Sequence, residues 1–140
     1  MADEATISTE GSGEKAVSRQ FTVAAGTAIT KGTVMVISGD RTAIAHNGTI
    51  GGYYPAGVAV EDKTATDNRV TMGCMRTGVC GFIADGTITT GDLVEVGGSA
   101  NRVKTMTTAT ISSGSSRNIL GRALETVATA ERCNIVLLLG

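Results

Sequence analysis

The chain has 140 residues with 41% hydrophobic residues, enough for one globular domain with its own core. Its 12 lysines and arginines nearly balance 13 aspartates and glutamates and form no run, which argues against a nucleic-acid or anionic-membrane surface. No apolar run is long enough for a membrane helix, and the acidic, polar N-terminus does not resemble a secretion signal.

Glycine is abundant, with 19 residues, whereas proline, with one residue, and aromatic residues, at 3%, are scarce. With many threonines and valines, this composition favours short strands joined by glycine turns. The sequence therefore predicts an all-β fold, a compact barrel or sandwich of short strands. The three cysteines, Cys74, Cys80 and Cys133, lack disulfide or metal spacing, and we expect them to be small buried residues in a reducing compartment.

Residues 1–19 are rich in Glu, Ser, Thr, Gly and Ala and lack strand periodicity. This composition predicts a flexible N-terminal arm, which is either a free tail or a segment that orders on a partner. From Gln20 onward the pattern is β. Phe21 and Val23 share one face of the first strand, and the segment 33–37 is apolar on both faces, as in a strand covered on both sides.

The next signals along the chain are turns and one long apolar segment. Asn47-Gly48 and Asp85-Gly86 are candidates for two-residue hairpins, because these residue types tolerate positive φ. The segment 68–84 predicts a long strand in which several glycines mark bulges or close approaches of the backbone.

Two short phrases occur twice in the same order. ITKGTVMV (29–36) resembles ITTGDLVE (88–95), and GVAVE (57–61) resembles GRALE (121–125). The repeat predicts a single domain, 20–140, built from similar halves at about 20–80 and 81–140. Because each half has too few strands to bury both of its faces, we expect the halves to share one core.

The repeat also bears on the segment 123–132, whose apolar spacing fits a short helix. The matching segment 59–69 is rich in Asp, Thr and Asn, which is typical of a strand followed by a turn. We therefore favour strand–turn–strand in both halves, with a short helical turn around 127–131 as the alternative.

No catalytic or metal-binding constellation is evident. The single histidine, His46, precedes the Asn47-Gly48 turn, where we expect an exposed loop residue. Glu61 and Asp62 are neighbours and would point to opposite faces of a strand, so the repeated glutamate is better explained as an acid that ends the strand and accepts hydrogen bonds from the turn. A lipoyl-carrier domain also has two β halves, but Lys63 lacks the flanking pattern of its modified lysine. We expect no enzyme activity and no cofactor.

The segment GGYYPAG (51–57) contains both tyrosines and the only proline. A double tyrosine beside a proline turn is a candidate anchor on a protein surface. In the alternative interpretation, one tyrosine packs on the core and the other covers the end of the barrel.

Four segments together resemble the capsid cement, or decoration, proteins of tailed bacteriophages: AAGTAITKGTVMVISG, PAGVAVEDKTATDNRVTMGCMRTGV, TITTGDLVEV and ILGRALETVATAERCNIVLLLG. The similarity covers about residues 20–140, and its most specific part is the final G-x-A-L-E element with the apolar strand. Two positions depart from the family pattern. Thr33 replaces a usual Asp that Asp92 retains, which puts a turn contact in doubt, and Arg122 replaces a small apolar residue, which suggests that its strand is exposed or reaches a neighbour.

The resemblance implies a structural virion protein that binds the major capsid protein on the outer surface of the phage head and stabilises it. It also implies a homo-oligomer, with a trimer favoured, that is made in the host cytoplasm and binds no nucleic acid, membrane or small-molecule substrate. Candidate interface residues are Phe21, Tyr53, Tyr54, Pro55, Arg122 and Leu138. The main rival is a carbohydrate- or receptor-binding β module of a phage tail, and a small enzyme would need a polar pocket.

Overall fold

The computed structural model describes residues 3–7, 18–47, 54–106 and 119–139. These ranges contain strands and turns but no helix, so the all-β prediction is confirmed. The eleven strands in these ranges are β1 Thr6–Ile7, β2 Ser18–Thr22, β3 Val34–Gly39, β4 Thr42–Ala45, β5 Tyr54–Ala59, β6 Thr71–Met75, β7 Thr77–Ala84, β8 Leu93–Val96, β9 Arg102–Thr105, β10 Gly121–Ala123 and β11 Arg132–Leu138.

The strands form two small barrels with the same strand order. The first barrel runs β2-β4-β3-β5-β6, and β6 pairs back on β2. The second barrel runs β7-β9-β8-β10-β11, and β11 pairs back on β7. Each strand of the first barrel therefore has a counterpart in the second, which confirms the prediction of two similar halves.

Each barrel encloses its own apolar interior. Phe21, Met35 and Met72 belong to the cluster inside the first barrel. The larger cluster fills the second barrel and also includes Val34 and Val58 from the outside of the first barrel. The expected shared core thus exists as a contact between the barrels, which buries part of the outer face of the first barrel, but each barrel also has an interior of its own. A sheet closed on itself hides its inner face without a second sheet.

The segment predicted as one long strand is two strands that belong to different barrels. β6 ends at Met75 in the first barrel, and β7 begins at Thr77 in the second. Arg76 lies at this crossover, a little before the boundary near residue 80 that the repeat suggested. Cys74 and Cys80 are consequently buried in different barrels.

Asp85-Gly86 does not form the predicted two-residue hairpin. β7 pairs with β1, β9 and β11, whereas the next strand along the chain, β8, pairs with β9 and β10. The Asp85 carboxylate instead accepts a hydrogen bond from Gly98 N–H (2.8 Å), so it fixes the turn between β8 and β9. Gly48, half of the other candidate hairpin, lies outside the described residues.

The structure also corrects part of the predicted flexible arm, 1–19. Residues 3–7 lie on the body of the protein, where β1 pairs with β7 and Ala5 N–H donates to Gly32 O (2.7 Å). Asp3 accepts a hydrogen bond from Arg102 Nε at 2.9 Å. β1 covers an edge of β7 whose backbone groups would otherwise be unpaired. At the other end of the predicted arm, β2 begins at Ser18, and residues 1–2 and 8–17 lie outside the described ranges.

The repeated phrase marks the same joint in each barrel. A Cβ atom at Gly57 would lie closer than 3.0 Å to Met75 O, and one at Gly121 would lie equally close to Val136 O. Both glycines therefore allow the next strand to approach. The acids that follow fix the turns: Glu61 pairs with Arg69, and Glu125 Oε1 accepts a hydrogen bond from Asn134 N–H (2.9 Å).

Strand–turn–strand is confirmed for the segment 123–132. Between β10 and β11 the chain makes a single bridge, Val127 with Ile88, and no helical turn. The structure also resolves the turn contact that was in doubt because Thr33 replaces an Asp. Asp92 Oδ2 accepts hydrogen bonds from Thr89 N–H and Thr105 Oγ1, each at 3.0 Å, whereas Thr33 is fully buried.

Candidate functional site

A cleft of about 350 Å³ lies where the two barrels meet. Its walls come from strands β3, β5 and β11 and from the crossover between the barrels. The residues that line it are Ile37, Tyr54, Pro55, Arg76, Ile119, Leu138 and Leu139. The lining is thus mainly apolar, with one cation and one phenol. We refer to this surface as the junction cleft.

The junction cleft exists because β5 is paired unevenly. β5 pairs with β3 from Tyr54 to Val58, but it pairs with β6 only at Val58 and Ala59. The first residues of β5 therefore lack a strand on one side. The side chain of Arg76 fills part of that space.

Arg76 connects the first barrel to the last residues of the second. Its Nη1 donates to Ala56 O (2.8 Å) and its Nη2 donates to Leu139 O (2.9 Å), while Leu139 N–H donates to Arg76 O (3.1 Å). The guanidinium carbon also lies 6.0 Å from the centre of the Phe21 ring. Burial lowers the pKa of Arg76, and the nearby charge of Arg19 lowers it further. Arg76 thus supplies two backbone carbonyls with hydrogen bonds that no strand provides.

Three of the predicted interface residues meet at the junction cleft. Tyr54 is half-buried at the start of β5, and Pro55 beside it is buried. Leu138, near the end of β11, is 51% exposed although it is a large apolar residue. These residues are distant in sequence, and only the closure of the two barrels brings them together.

Two other candidate interface residues, Phe21 and Arg122, lie elsewhere. Phe21 is 9% exposed and belongs to the interior cluster of the first barrel. Arg122 is exposed on β10, where its Nη1 donates to Gly91 O (2.7 Å). Tyr53 lies outside the described residues.

The difference between Val58 and Arg122 corresponds to a contact that only one barrel makes. Val58 pairs with Val34 and Met75 on the outside of the first barrel, and all three join the cluster of the second barrel. In the second barrel, Arg122 takes the place of Val58, pairing with Leu93 and Val136, and it is exposed. The first barrel therefore uses this face to hold the second.

Two residues of the sequence analysis are more buried than expected. His46 is 2% exposed, and its backbone N–H donates to Val34 O (2.8 Å). The prediction that it is an exposed loop residue was therefore wrong. Lys63 is also 2% exposed, and its Nζ donates to Ala25 O and Thr27 O, each at 2.7 Å. A lysine held in this way is inaccessible for lipoylation.

The cysteines are buried, as predicted. Burial raises the pKa of Cys74 to about 12 and that of Cys80 to about 12, and burial is also the main cause that raises the pKa of Cys133. At neutral pH these thiols stay protonated and are therefore poor nucleophiles and metal ligands.

The described ranges contain no group of three or more His, Cys, Asp or Glu side chains that could hold a metal ion. Across the same ranges, no helix has the length and apolar character that crossing a membrane requires.

Comparisons with known proteins show a similar fold among solved structures. No family model matches the chain, and no curated protein sequence matches it. The chain is similar to a solved structure, the N base of head fiber gp8.5 in bacteriophage phi29, with 18% sequence identity and a TM-score of 0.49. The similarity covers 89% of this chain and 95% of the other.

Proposed function

We propose that this chain is a structural protein of a bacteriophage virion, and specifically a capsid decoration, or cement, protein. It binds the major capsid protein on the outer surface of the assembled head and stabilises the head, without enzyme activity. It acts as a homo-oligomer, with a trimer favoured. The four sequence segments that resemble cement proteins support this proposal, and the junction cleft is the structural observation that carries it.

The junction cleft has the composition of a protein-binding surface. Interfaces are enriched in tyrosine, arginine and apolar side chains that are buried when the partner binds. Tyr54, Arg76 and Leu138 supply one of each, on strands or beside them, so their positions are fixed before binding. Such preorganisation lowers the entropic cost of association.

The energy of one contact is modest, which suits a repeated lattice. Complete burial of a leucine side chain contributes about 1.5–3 kcal/mol, and Leu138 has about half of its surface left to bury. A protein that contacts the shell through several copies multiplies such a contribution, because each further contact is made at a high effective concentration. The proposed role therefore requires no deep pocket.

Sedimentation with undecorated phage heads tests the proposal. Wild-type protein is expected to pellet with the heads, whereas Leu138→Asp should bind about tenfold more weakly. Leu124→Asp is the matched control, because Leu124 is equally exposed, at 51%, on a different surface. Thermal unfolding of both variants checks that they are folded.

Two outcomes would contradict the proposal. Failure of the wild-type protein to pellet with its own heads would exclude the cement role. Equal binding by the two leucine variants would exclude the junction cleft as the contact surface. Binding of the free protein to glycans through Tyr54, with no affinity for heads, would instead support the rival receptor-binding module.

Light scattering tests the oligomeric state independently. A solution mass three times that of the chain is expected, and a mass equal to one chain would exclude the trimer.

A further inference from the structure

The open end of the first barrel has a second cleft, of about 470 Å³, which shares no lining residue with the junction cleft. Ser18, Arg19, Gln20, Phe21 and Arg41 line it. Arg19 and Arg41 are exposed, and no ion pair within the described ranges includes either of them. We refer to this surface as the arginine end.

Arg76 adds a third positive charge close to the arginine end. It lies near enough to Arg19 for the two charges to repel, which contributes to the lowered pKa of Arg76. Asp40 is the acid next to Arg41 in the chain, and it is exposed. Among the described residues, three guanidinium groups against one carboxylate leave this end of the barrel net positive.

The repeat identifies the counterparts of the arginine end in the second barrel. Arg19 pairs with Cys74 in the first barrel, as Cys80 pairs with Ile135 in the second. By the same register, Leu137 corresponds to Arg76. These counterparts, Cys80 and Leu137, are 0% and 2% exposed.

The counterpart of Arg41 makes a contact between the barrels. Arg41 and Asn101 each precede the second strand of the equivalent hairpin, and both have positive φ, 51° and 65°. Asn101 is fully buried, and its Oδ1 accepts a hydrogen bond from Val34 N–H of the first barrel (2.9 Å). In the second half, this end of the barrel therefore docks on protein.

We propose that the arginine end binds a carboxylate-rich segment of a partner protein. A guanidinium group matches a carboxylate with two parallel hydrogen bonds, and Ser18 and Gln20 add neutral donors beside it. In the second barrel this end docks on protein, whereas in the first barrel it carries arginines and faces outward. We therefore infer that charge selects its partner. The identification of that partner as the shell protein rests on the proposed function.

A titration with short peptides tests the charge selection without the shell. The probe is a peptide of alternating glutamate and alanine, and the control peptide has glutamine in place of glutamate. The glutamate peptide should bind, and added salt should weaken it because exposed charges are screened beyond about 8 Å at physiological ionic strength.

Charge reversal locates the binding surface. Arg19→Glu and Arg41→Glu should each weaken glutamate-peptide binding about fivefold or more. Arg122→Glu is the matched control, because Arg122 is also an exposed arginine but belongs to the second barrel, and it should bind like the wild type. Equal affinity for both peptides, or an equal loss with Arg122→Glu, would overturn the proposal.

Sedimentation with heads separates this inference from the proposed function. Arg41→Glu should pellet less than Arg122→Glu. If both variants pellet as well as the wild type, the docking inference fails while the cement role stands. If the wild type does not pellet, the cement role fails, and the peptide titration still decides whether the arginine end recognises carboxylates.

Discussion

Replacing Gly32 with alanine is expected to detach residues 3–7 from the body of the protein. Gly32 has a φ of +91°, and a Cβ atom there would lie closer than 3.0 Å to Ala5 O. Gly32 O in turn accepts the hydrogen bond from Ala5 N–H. Movement of either backbone therefore breaks this bond and disturbs the pairing of β1 with β7. Gly91 is the matched control, since it occupies the same turn of the repeat with a φ of +88° and has no described atom within 4 Å of a Cβ.

The expected magnitude follows from this comparison. Alanine at such a φ costs about 1–2 kcal/mol, and that cost applies at both positions. Gly32→Ala additionally loses the Ala5 hydrogen bond and weakens neighbouring ones, each contributing about 1 kcal/mol. In urea unfolding, we therefore expect Gly32→Ala to be less stable than Gly91→Ala by about 1–3 kcal/mol. Deleting residues 1–7 should remove this difference, because no segment remains to be displaced. Equal stability of the two variants in the full chain would refute the reasoning.

Two further predictions concern charged side chains. Arg76→Met should lower the free energy of unfolding, measured in urea, by about 2–4 kcal/mol, because it leaves the carbonyls of Ala56 and Leu139 without a donor. In the same assay, Arg69→Met, which removes an exposed ion pair, should cost less than about 1 kcal/mol. The pKa of Asp67 is lowered, chiefly because its carboxylate accepts a hydrogen bond from Arg69 N–H. The stabilising contribution of Asp67 is therefore present above about pH 4 and is lost as the pH falls through the lower folded-state pKa. The melting temperature of Asp67→Asn should therefore fall less steeply below about pH 4 than that of the wild type, and parallel curves would contradict this assignment.

Local patterns predicted the most buried strand segment, because a strand covered on both faces requires consecutive apolar residues. The segment 33–37 was predicted to be covered on both faces, and Val34, Met35 and Val36 are at most 1% exposed. The repeat was decisive for the segment 123–132, where periodicity alone also allowed a helix.

Contacts distant in sequence were missed because nothing local indicates them. Arg76 stands between two apolar strands, and its carbonyl partners are 20 and 63 residues away. His46 was judged from the following turn signal, whereas the folding of β3 and β4 buries it. Lys63 did leave a signal, since the bridge Ile29–Lys63 corresponds to Ile88–Val127 and the second half carries an apolar residue there. The correspondence of Lys63 with Val127 therefore indicates a buried position for this lysine.

The halves differ most where one of them has to hold the other, and an exchange of residues tests this. Val58 is fully buried against the second barrel, so Val58→Arg would place a charge in that contact and should cost about 3–5 kcal/mol, measured by urea unfolding. Arg122→Val, the reverse exchange, removes one exposed hydrogen bond to Gly91 O and should change stability by less than about 1 kcal/mol. Similar costs for the two exchanges would mean that the faces are equivalent, and the first barrel would then have no special role in holding the second. The expected asymmetry instead identifies the face around Val58 as the internal joint and leaves the face around Arg122 free for solvent or a neighbour.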